Sequence, residues 1–243
     1  MWPISQKEFR QFFSSLTGII AISVFLLLNA LFLFVFPDTN IFDFGYATLE
    51  RFFELAPWIL TFLVPAITMR SLADEYRGGT YEILLTRPVG YGQIVMGKYL
   101  GCLLIAVLAL LPTLIYAVSI EALSGVNAGL DIGGTAGAYI GLVFLAAVYT
   151  AIGICCSSFT SNAVVAFIVS AFSCFILYFG FNGISRLTAL SGGAAYYLEL
   201  LGIDFHYRSI SRGVIDSRDV VYFVSVIAFF LLVTRRNLIN RQP

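Results

Sequence analysis

The chain has 243 residues, of which 59% are hydrophobic and 12% are charged, and its formal net charge is zero. A soluble domain carries about 25% charged residues, so this composition argues against a soluble domain and predicts a membrane protein. The four cysteines lie in apolar runs without the spacing of a disulfide framework or a metal site, and the neutral balance gives no reason to expect nucleic acid as a partner.

The first predicted element is an amphipathic helix lying in the membrane interface. Phe9, Phe12 and Phe13 recur at helical spacing beside polar and basic residues, which is typical of a helix with its rings in the acyl boundary. A frayed terminus is the alternative. Residues 18–36 follow as the first span, because the run is apolar apart from Asn29 and is too long for a signal peptide.

Five further apolar runs complete the prediction of an all-α membrane protein with six transmembrane helices in a single transmembrane domain, residues 1–243. The second and sixth runs are short for a bilayer of about 30 Å, so they must include flanking residues. The predicted spans, in chain order, are residues 18–36, 55–69, 99–123, 135–156, 163–180 and 219–234.

The distribution of charge predicts the orientation of these spans, because cytoplasmic loops are enriched in lysine and arginine. With the N-terminus inside, the inner side holds nine of the fourteen basic residues but only four of the fourteen acidic ones. We therefore expect both termini to lie in the cytoplasm (N-in, C-in).

The longest predicted cytoplasmic segment, residues 70–98, contains a short helix over residues 80–86. Thr80 is placed to cap it, and Glu82 lies in its first turn, where the helix dipole favours an anion. An exposed helix carrying Tyr81 and two leucines predicts a partner groove, whereas a structured loop covering the bundle is the alternative. The residues predicted to turn the chain around this helix are Gly78, Gly79, Pro88, Gly90 and Gly92.

Residues 92–99 nearly match the phosphate-binding loop G-x-x-x-x-G-K-[ST]. Tyr99 stands where a small hydroxyl should reach Mg²⁺, no buried strand precedes the segment, and a span follows at once. We therefore expect no ATP site here and interpret Lys98 as an interfacial anchor.

Two segments resemble a known family. The run GGTYEILLTRP followed by QIVMGKYL resembles the segment between the second and third spans of ABC-2-type transporter permeases. The run SRGVIDSRDVVYF, residues 211–223, is similar to an external segment of gliding-motility-associated permeases (the F subunit of the Gld system) and of nitrous-oxide-reductase maturation permeases.

This resemblance implies a non-catalytic permease subunit in the bacterial cytoplasmic (inner) membrane. Its implied partners are a cytoplasmic ABC ATPase subunit, a second permease chain of the same or a related kind, and the lipid bilayer. No cofactor is implied in this chain, since ATP and Mg²⁺ would bind to the partner ATPase. Hydrolysis there would drive export or transmit force across the membrane, with gliding motility as one implied role.

The resemblance also implies two groups of site residues, with no catalytic or metal-binding residue among them. The ATPase-docking group is Glu75, Arg77, Gly79, Thr80, Tyr81, Glu82, Leu84 and Leu85. The external-loop group is Arg212, Gly213, Asp216 and Asp219.

The external segment, residues 181–218, is too polar to span the membrane and too long for a tight turn. Tyr196 and Tyr197, with two leucines at helical spacing, predict an interfacial helix. His206 is the chain's single histidine and cannot assemble a metal site alone, so we expect a hydrogen-bonded structural residue. The nearby carboxylates are expected to pair with Arg212 or to be solvated.

A secondary carrier or a channel-like protein independent of ATP is the alternative function. Carriers usually keep an ionisable residue near mid-membrane, yet Glu121 lies at the outer end of its predicted span. An intramembrane enzyme is a third hypothesis. It would need a Ser–His pair or two carboxylates within the membrane, and His206 lies outside every predicted span.

Overall fold

The computed structural model describes residues 2–36, 48–85, 89–123, 129–185, 193–214 and 216–241. These residues form thirteen α-helices. The helices are α1 (Trp2–Ser14), α2 (Leu16–Phe34), α3 (Glu50–Thr68), α4 (Arg70–Arg77), α5 (Thr80–Leu85), α6 (Tyr91–Leu110), α7 (Leu114–Leu123), α8 (Ile132–Phe159), α9 (Ala163–Phe175), α10 (Phe181–Ser185), α11 (Gly193–Glu199), α12 (Ile203–Ser211) and α13 (Ser217–Asn240).

Six helical segments are long and apolar enough to cross a membrane, which confirms the predicted all-α fold. A 3-10 turn, Leu111–Thr113, joins α6 to α7, and a π-helical turn, Ile176–Gly180, joins α9 to α10. The six segments, within the residues described, are Leu16–Phe34, Glu50–Arg77, Tyr91–Ala122, Ile132–Phe159, Ala163–Ser185 and Ser217–Asn240.

Short polar side chains fix where four of these segments begin. In each case a side-chain oxygen accepts a hydrogen bond from a backbone N–H two or three residues further along. This bond satisfies a donor that has no partner within the helix. The four capping residues are Ser15, Asp131, Asn162 and Asp216.

The helix of the third segment begins earlier than hydropathy predicts. The apolar run was predicted to start at residue 99, whereas α6 starts at Tyr91. The expectation that Gly92 turns the chain is wrong, because Gly92 lies inside this helix. The extra turns carry Lys98, whose charge would oppose burial but is neutralised by carboxylates from α1 and α4.

Helix α8 is the centre of the bundle and packs against α3, α4, α6, α9, α12 and α13. Small residues allow this close approach. A Cβ atom on Gly153 would lie 2.0 Å from Thr68 Oγ1 on α3, and one on Gly137 would lie 2.7 Å from the Cα atom of Gly213. A larger side chain would push away the Thr68 side chain at the first position and the Gly213 backbone at the second.

The predicted interfacial helix forms as α1 and packs against α6 and α2. Its polar residues Ser5 and Glu8 face inward, while Trp2 and Phe13 remain exposed. Gly101 of α6 lies under it, since a Cβ there would be 2.9 Å from Glu8 Cβ. The side of α1 that faces the bundle is therefore mixed, because Phe9 and Phe12 are also partly buried against the core.

The two ends of the bundle hold different elements. Helices α1, α4 and α5 lie where α8 and α13 end, and we call this the α4–α5 end. The ends of α8 and α13 are joined there, because Asn237 of α13 donates a hydrogen bond to the carbonyl oxygen of Ser158 of α8 (2.7 Å). Helix α12 packs near the beginnings of α8 and α13, and we call this the α12 end. Both α1 and the last turn of α13 thus lie at the α4–α5 end, as an even number of spans requires.

Candidate functional site

The predicted docking segment forms two short helices joined at the double glycine. Gly79 adopts a φ of +66°, a left-handed conformation that favours glycine. Helix α5 then starts at Thr80, whose hydroxyl donates back to the Glu75 carbonyl oxygen (3.5 Å) and so bridges to α4. The prediction extended this helix to Thr86, which lies outside the described residues.

The exposed surface of this segment, among the side chains that the structure describes, is polar. Five residues are exposed around the turn, and together we call them the α4–α5 tip: Arg77, Gly78, Gly79, Thr80 and Glu82. Leu84 and Leu85 belong to the predicted docking group, but their side chains lie outside the described part of the chain. Their docking role therefore remains a prediction from the sequence.

The expectation that Tyr81 is exposed is wrong. Tyr81 is 6% exposed, and its hydroxyl donates to the backbone oxygen of Leu238 on α13 (3.0 Å). Its ring meets that of Tyr76 edge-on, and the Arg241 guanidinium lies 4.5 Å from the Tyr76 ring centroid. Burial raises the pKa of Tyr81 to about 12, which keeps the hydroxyl a neutral donor. Tyr81 thus joins α5 to α13.

Ser157, near the end of α8, anchors the start of α4. Its Oγ accepts hydrogen bonds from the backbone N–H groups of Leu72 and Ala73, both at 3.1 Å, and its hydroxyl donates to the carbonyl oxygen of Met69 (3.1 Å). A side chain from one helix therefore acts as the N-terminal cap of another. Through this cap, the first turn of α4 is fixed to the central helix of the bundle.

Glu75, predicted to contact the ATPase, is instead 7% exposed and paired inside the bundle. Its Oε1 lies 3.0 Å from Lys98 Nζ and 2.9 Å from Lys7 Nζ. Lys98 Nζ also lies 2.7 Å from Glu8 Oε1. We call Lys7, Glu8, Glu75 and Lys98 the charge cluster.

The interpretation of Lys98 as an interfacial anchor is wrong, because its side chain is 0% exposed and faces two carboxylates. The near-match to a phosphate-binding loop is helical from Tyr91 onward. Its backbone N–H groups are committed to the helix and cannot wrap a phosphate in the way that a phosphate-binding loop does.

The external-loop group has separate structural roles. Asp216 caps α13 by accepting the Arg218 N–H (2.9 Å). Asp219 is buried and lies 2.7 Å from Nδ1 of His206, so among the described residues neither carboxylate pairs with Arg212, and the alternative of a solvated carboxylate fits only the exposed Asp216. Gly213 has a φ of +84°, and a Cβ there would lie 2.9 Å from the Cα atom of Gly134.

His206 is hydrogen-bonded, as expected, but it lies on α12 rather than in a loop. Its second ring nitrogen, Nε2, lies 2.9 Å from the Leu200 carbonyl oxygen, and its ring stacks on Tyr222. Among the described residues, no group of three or more His, Cys, Asp or Glu side chains is placed to hold a metal ion.

A cavity of about 460 Å³ opens beside α12 at the α12 end. Asp204 lies at its wall, is 4% exposed and accepts hydrogen bonds from Asn182 Nδ2 (2.6 Å) and Arg208 Nε (2.9 Å). Arg212 also lines this cavity. Burial, and then the Asp204 carboxylate, raise the pKa of Tyr207 next to it, whose hydroxyl donates to the Phe53 carbonyl oxygen.

Sequence reasoning missed the charge cluster and Asp204. Glu8 gave a signal that could have been used, since it is the single acidic residue of α1 and lies three residues after Ser5 on one helical face. Its partner Lys98 is 90 residues away, however, and nothing local predicts that the two meet. Asp204 gave no such signal within its polar surroundings.

Residues 44–200 of the chain match the family described as ABC-2 family transporter protein. Two curated proteins, both named Probable ABC transporter permease protein NosY, are similar to parts of the chain. The one from Pseudomonas aeruginosa is 30% identical over 115 residues, which cover 46% of this chain and 42% of that protein. The one from Stutzerimonas stutzeri is 37% identical over 65 residues, or 27% of this chain and 24% of that protein. The matched stretches thus span less than half the length of either relative.

Proposed function

Because the chain belongs to the ABC-2 family of transporter proteins, we propose that its six spans are moved by ATP hydrolysis in a separate cytoplasmic ATPase subunit. The chain would be the membrane-spanning permease subunit, paired with a second permease chain of the same or a related kind. ATP and Mg²⁺ would bind to the ATPase partner and not to this chain.

The observation that carries this proposal is the way the α4–α5 tip is attached. The tip is exposed at one end of the bundle, but the residues on either side of it are fixed to two different spans. Ser157 of α8 caps the start of α4, and Tyr81 of α5 donates to the backbone of α13. A push on the tip would therefore be delivered to the central helix and to the last helix together.

In this mechanism the α4–α5 tip docks on the ATPase through Thr80 and Glu82, together with Leu84 and Leu85, the aliphatic residues that follow the tip in α5. Closure of two ATPase subunits on ATP would displace the tip, and α4 would pass the displacement to α8. Movement of α8 against its neighbours would then open or close a path between the two permease chains. Such coupling needs a bistable contact rather than a flexible one.

This movement would either export a substrate or transmit force across the membrane. The similarity of residues 211–223 to gliding-motility-associated permeases supports a role in gliding or surface assembly as the more specific form of the proposal. The positive charge of the α4–α5 end supports placing that end, and the ATPase, on the cytoplasmic side of the inner membrane.

The docking proposal is tested by changing the aliphatic anchors. The double variant Leu84→Ala with Leu85→Ala should lose its ATPase partner, because interface anchors each contribute about 2 kcal/mol or more. The loss of one such anchor alone weakens association roughly 30-fold. The measurement is the amount of ATPase subunit, and of Mg²⁺-dependent ATPase activity, that co-purifies with the tagged full-length chain in mild detergent.

Leu114→Ala is the matched control, since Leu114 is an exposed leucine on α7, away from the tip. It should retain the wild-type amount of ATPase. If the double variant retains it as well, the docking site lies elsewhere on the chain. If the unmodified chain never co-purifies with an ATPase, the secondary carrier or channel hypothesis is favoured instead.

A further inference from the structure

The charge cluster connects three helices that are far apart in sequence. The Lys98 ammonium group has three N–H donors and three acceptors around it: a carboxylate oxygen of Glu8, a carboxylate oxygen of Glu75, and the carbonyl oxygen of Ser71. Glu8 belongs to α1, whereas Ser71 and Glu75 belong to α4. Every donor of this buried cation on α6 is thus matched by an acceptor on another helix.

Lys7 completes the connection between the helices. Its Nζ lies 2.9 Å from the same Glu75 oxygen that faces Lys98. Successive residues of α1 therefore reach α4 through Lys7 and α6 through Glu8, while α4 and α6 are joined through Glu75 and Lys98. The three helices are linked pairwise, and two cations balance two carboxylates.

Stability alone is a poor explanation for such a cluster. The desolvation of buried ions offsets most of their attraction, and apolar residues of similar volume often stabilise a core at least as well. Ion pairs also add direction and register, because the three Lys98 donors meet their three acceptors only when α1, α4 and α6 are held in this arrangement. Helix α4 has eight residues and leads directly into the exposed tip, so its register determines where the tip points.

We propose that Lys98, Glu8 and Glu75 are positioning residues, which hold α4 against α1 and α6 so that the α4–α5 tip is presented to the ATPase in one orientation. This inference rests on the proposed function, because the orientation of the tip matters only if the tip docks on the ATPase. It also gives α1 a role, since movement of α1 in the membrane interface would reach the tip through the cluster.

The test consists of two separate measurements. One gives the geometry of the tip in the absence of the ATPase, and the other gives the association of the chain with the ATPase. Spin labels are placed at Arg10→Cys on α1 and Arg77→Cys on the tip, both exposed positions outside the cluster, in a full-length chain whose four natural cysteines are replaced by alanine. Pulsed electron spin resonance in nanodiscs then gives the distance distribution between the labels. The same cluster variants, without labels, are assayed for co-purified ATPase.

The informative variant is the neutral triple Glu8→Gln, Glu75→Gln and Lys98→Met. Lys98→Met alone would leave the buried Glu8 without its cation and Glu75 with Lys7 alone, and is expected to destabilise the protein strongly. The triple variant removes the buried charges, keeps the side-chain volumes and should remain folded. Glu54→Gln is the control, because it breaks an exposed ion pair with Arg51 that is distant from the tip.

We expect the unmodified chain to give a single narrow distance distribution and the triple variant to give a broader or shifted one. The amount of ATPase that co-purifies with the triple variant should be at least about tenfold lower than with the unmodified chain. Glu54→Gln should change neither the distance distribution nor the amount of ATPase. An unchanged distance distribution in the folded triple variant overturns the inference and leaves the proposed function standing. A changed distribution with wild-type ATPase retention also overturns it, because tip orientation would then not govern docking. The leucine variants test the proposed function independently.

Discussion

Polar side chains at the α4–α5 end bond to backbone groups of other helices. Tyr81 donates to Leu238, Asn237 to Ser158, and Arg241 to Phe159. Each bond ties the final turns of α13 to α5 or to α8. The Tyr81 hydroxyl is buried, and because a buried donor left without a partner is unfavourable by about 1–3 kcal/mol, its bond favours the observed arrangement of α5 and α13.

Substitutions of Tyr81 can distinguish a role of this residue in packing from a role in docking. Tyr81→Phe removes one hydrogen bond and should destabilise the protein by about 1 kcal/mol. Tyr81→Ala also removes the buried ring and should cost about 3–5 kcal/mol, the range for aromatic truncation in a core. Thermal unfolding of the purified chain in detergent measures both effects.

The matching ATPase measurement distinguishes the two roles. Tyr81→Phe should retain the wild-type amount of co-purified ATPase, because the ring still holds α5 against α13 and the hydroxyl faces inward. Loss of the ATPase in Tyr81→Phe without any change in unfolding temperature would show that the hydroxyl contacts the partner, contrary to the buried position assigned to it.

At the level of helices, the sequence predicted the six spans well because a bilayer imposes length and hydrophobicity on each one separately. The helix ends were less predictable. Helix α6 begins at Tyr91 because distant carboxylates neutralise Lys98, and α5 hides Tyr81 because α13 ends beside it. Both outcomes depend on contacts across about 90 and 157 residues of chain, which no local pattern encodes.

The contact between α3 and α8 is equally specific, because it depends on a glycine. Gly153→Ala would place a methyl group within 2.0 Å of Thr68 Oγ1. Relieving this overlap requires the helices to separate, and we expect a destabilisation of about 1–3 kcal/mol, measured by thermal unfolding in detergent.

A second substitution tests that cause. Thr68→Ala removes the hydroxyl oxygen, which is closest to the added atom, and the methyl group at 3.2 Å, but leaves the Thr68 Cβ position, 2.8 Å away, occupied. The double variant should therefore recover part of the stability lost in Gly153→Ala. If the stability lost in the double variant equals the sum of the losses in the two single variants, the overlap is not the cause.

The molecule as a whole has two ends of opposite charge. Among the described residues, the α4–α5 end carries eight lysines and arginines with four acidic residues, whereas the α12 end carries four arginines with eight acidic residues. Lys7 and Lys98 neutralise Glu8 and Glu75 within the charge cluster, so the basic excess of the α4–α5 end comes from its other cations. The remaining cations, such as Arg10 and Arg235, are exposed and lie near the ends of spans, where they influence insertion.

This asymmetry predicts that the α4–α5 end lies in the cytoplasm, because lysines and arginines near span ends are retained on the inner side during insertion. Single cysteines at Arg77→Cys and Arg218→Cys, in a chain whose four natural cysteines are replaced by alanine, place an exposed label at each end. A membrane-impermeant maleimide applied to intact spheroplasts should label Arg218→Cys at once and Arg77→Cys only after the membrane is permeabilised. Labelling of Arg77→Cys in intact spheroplasts, with Arg218→Cys protected, would reverse the orientation. It would also remove the proposed docking site from the side of the membrane where ATP is available.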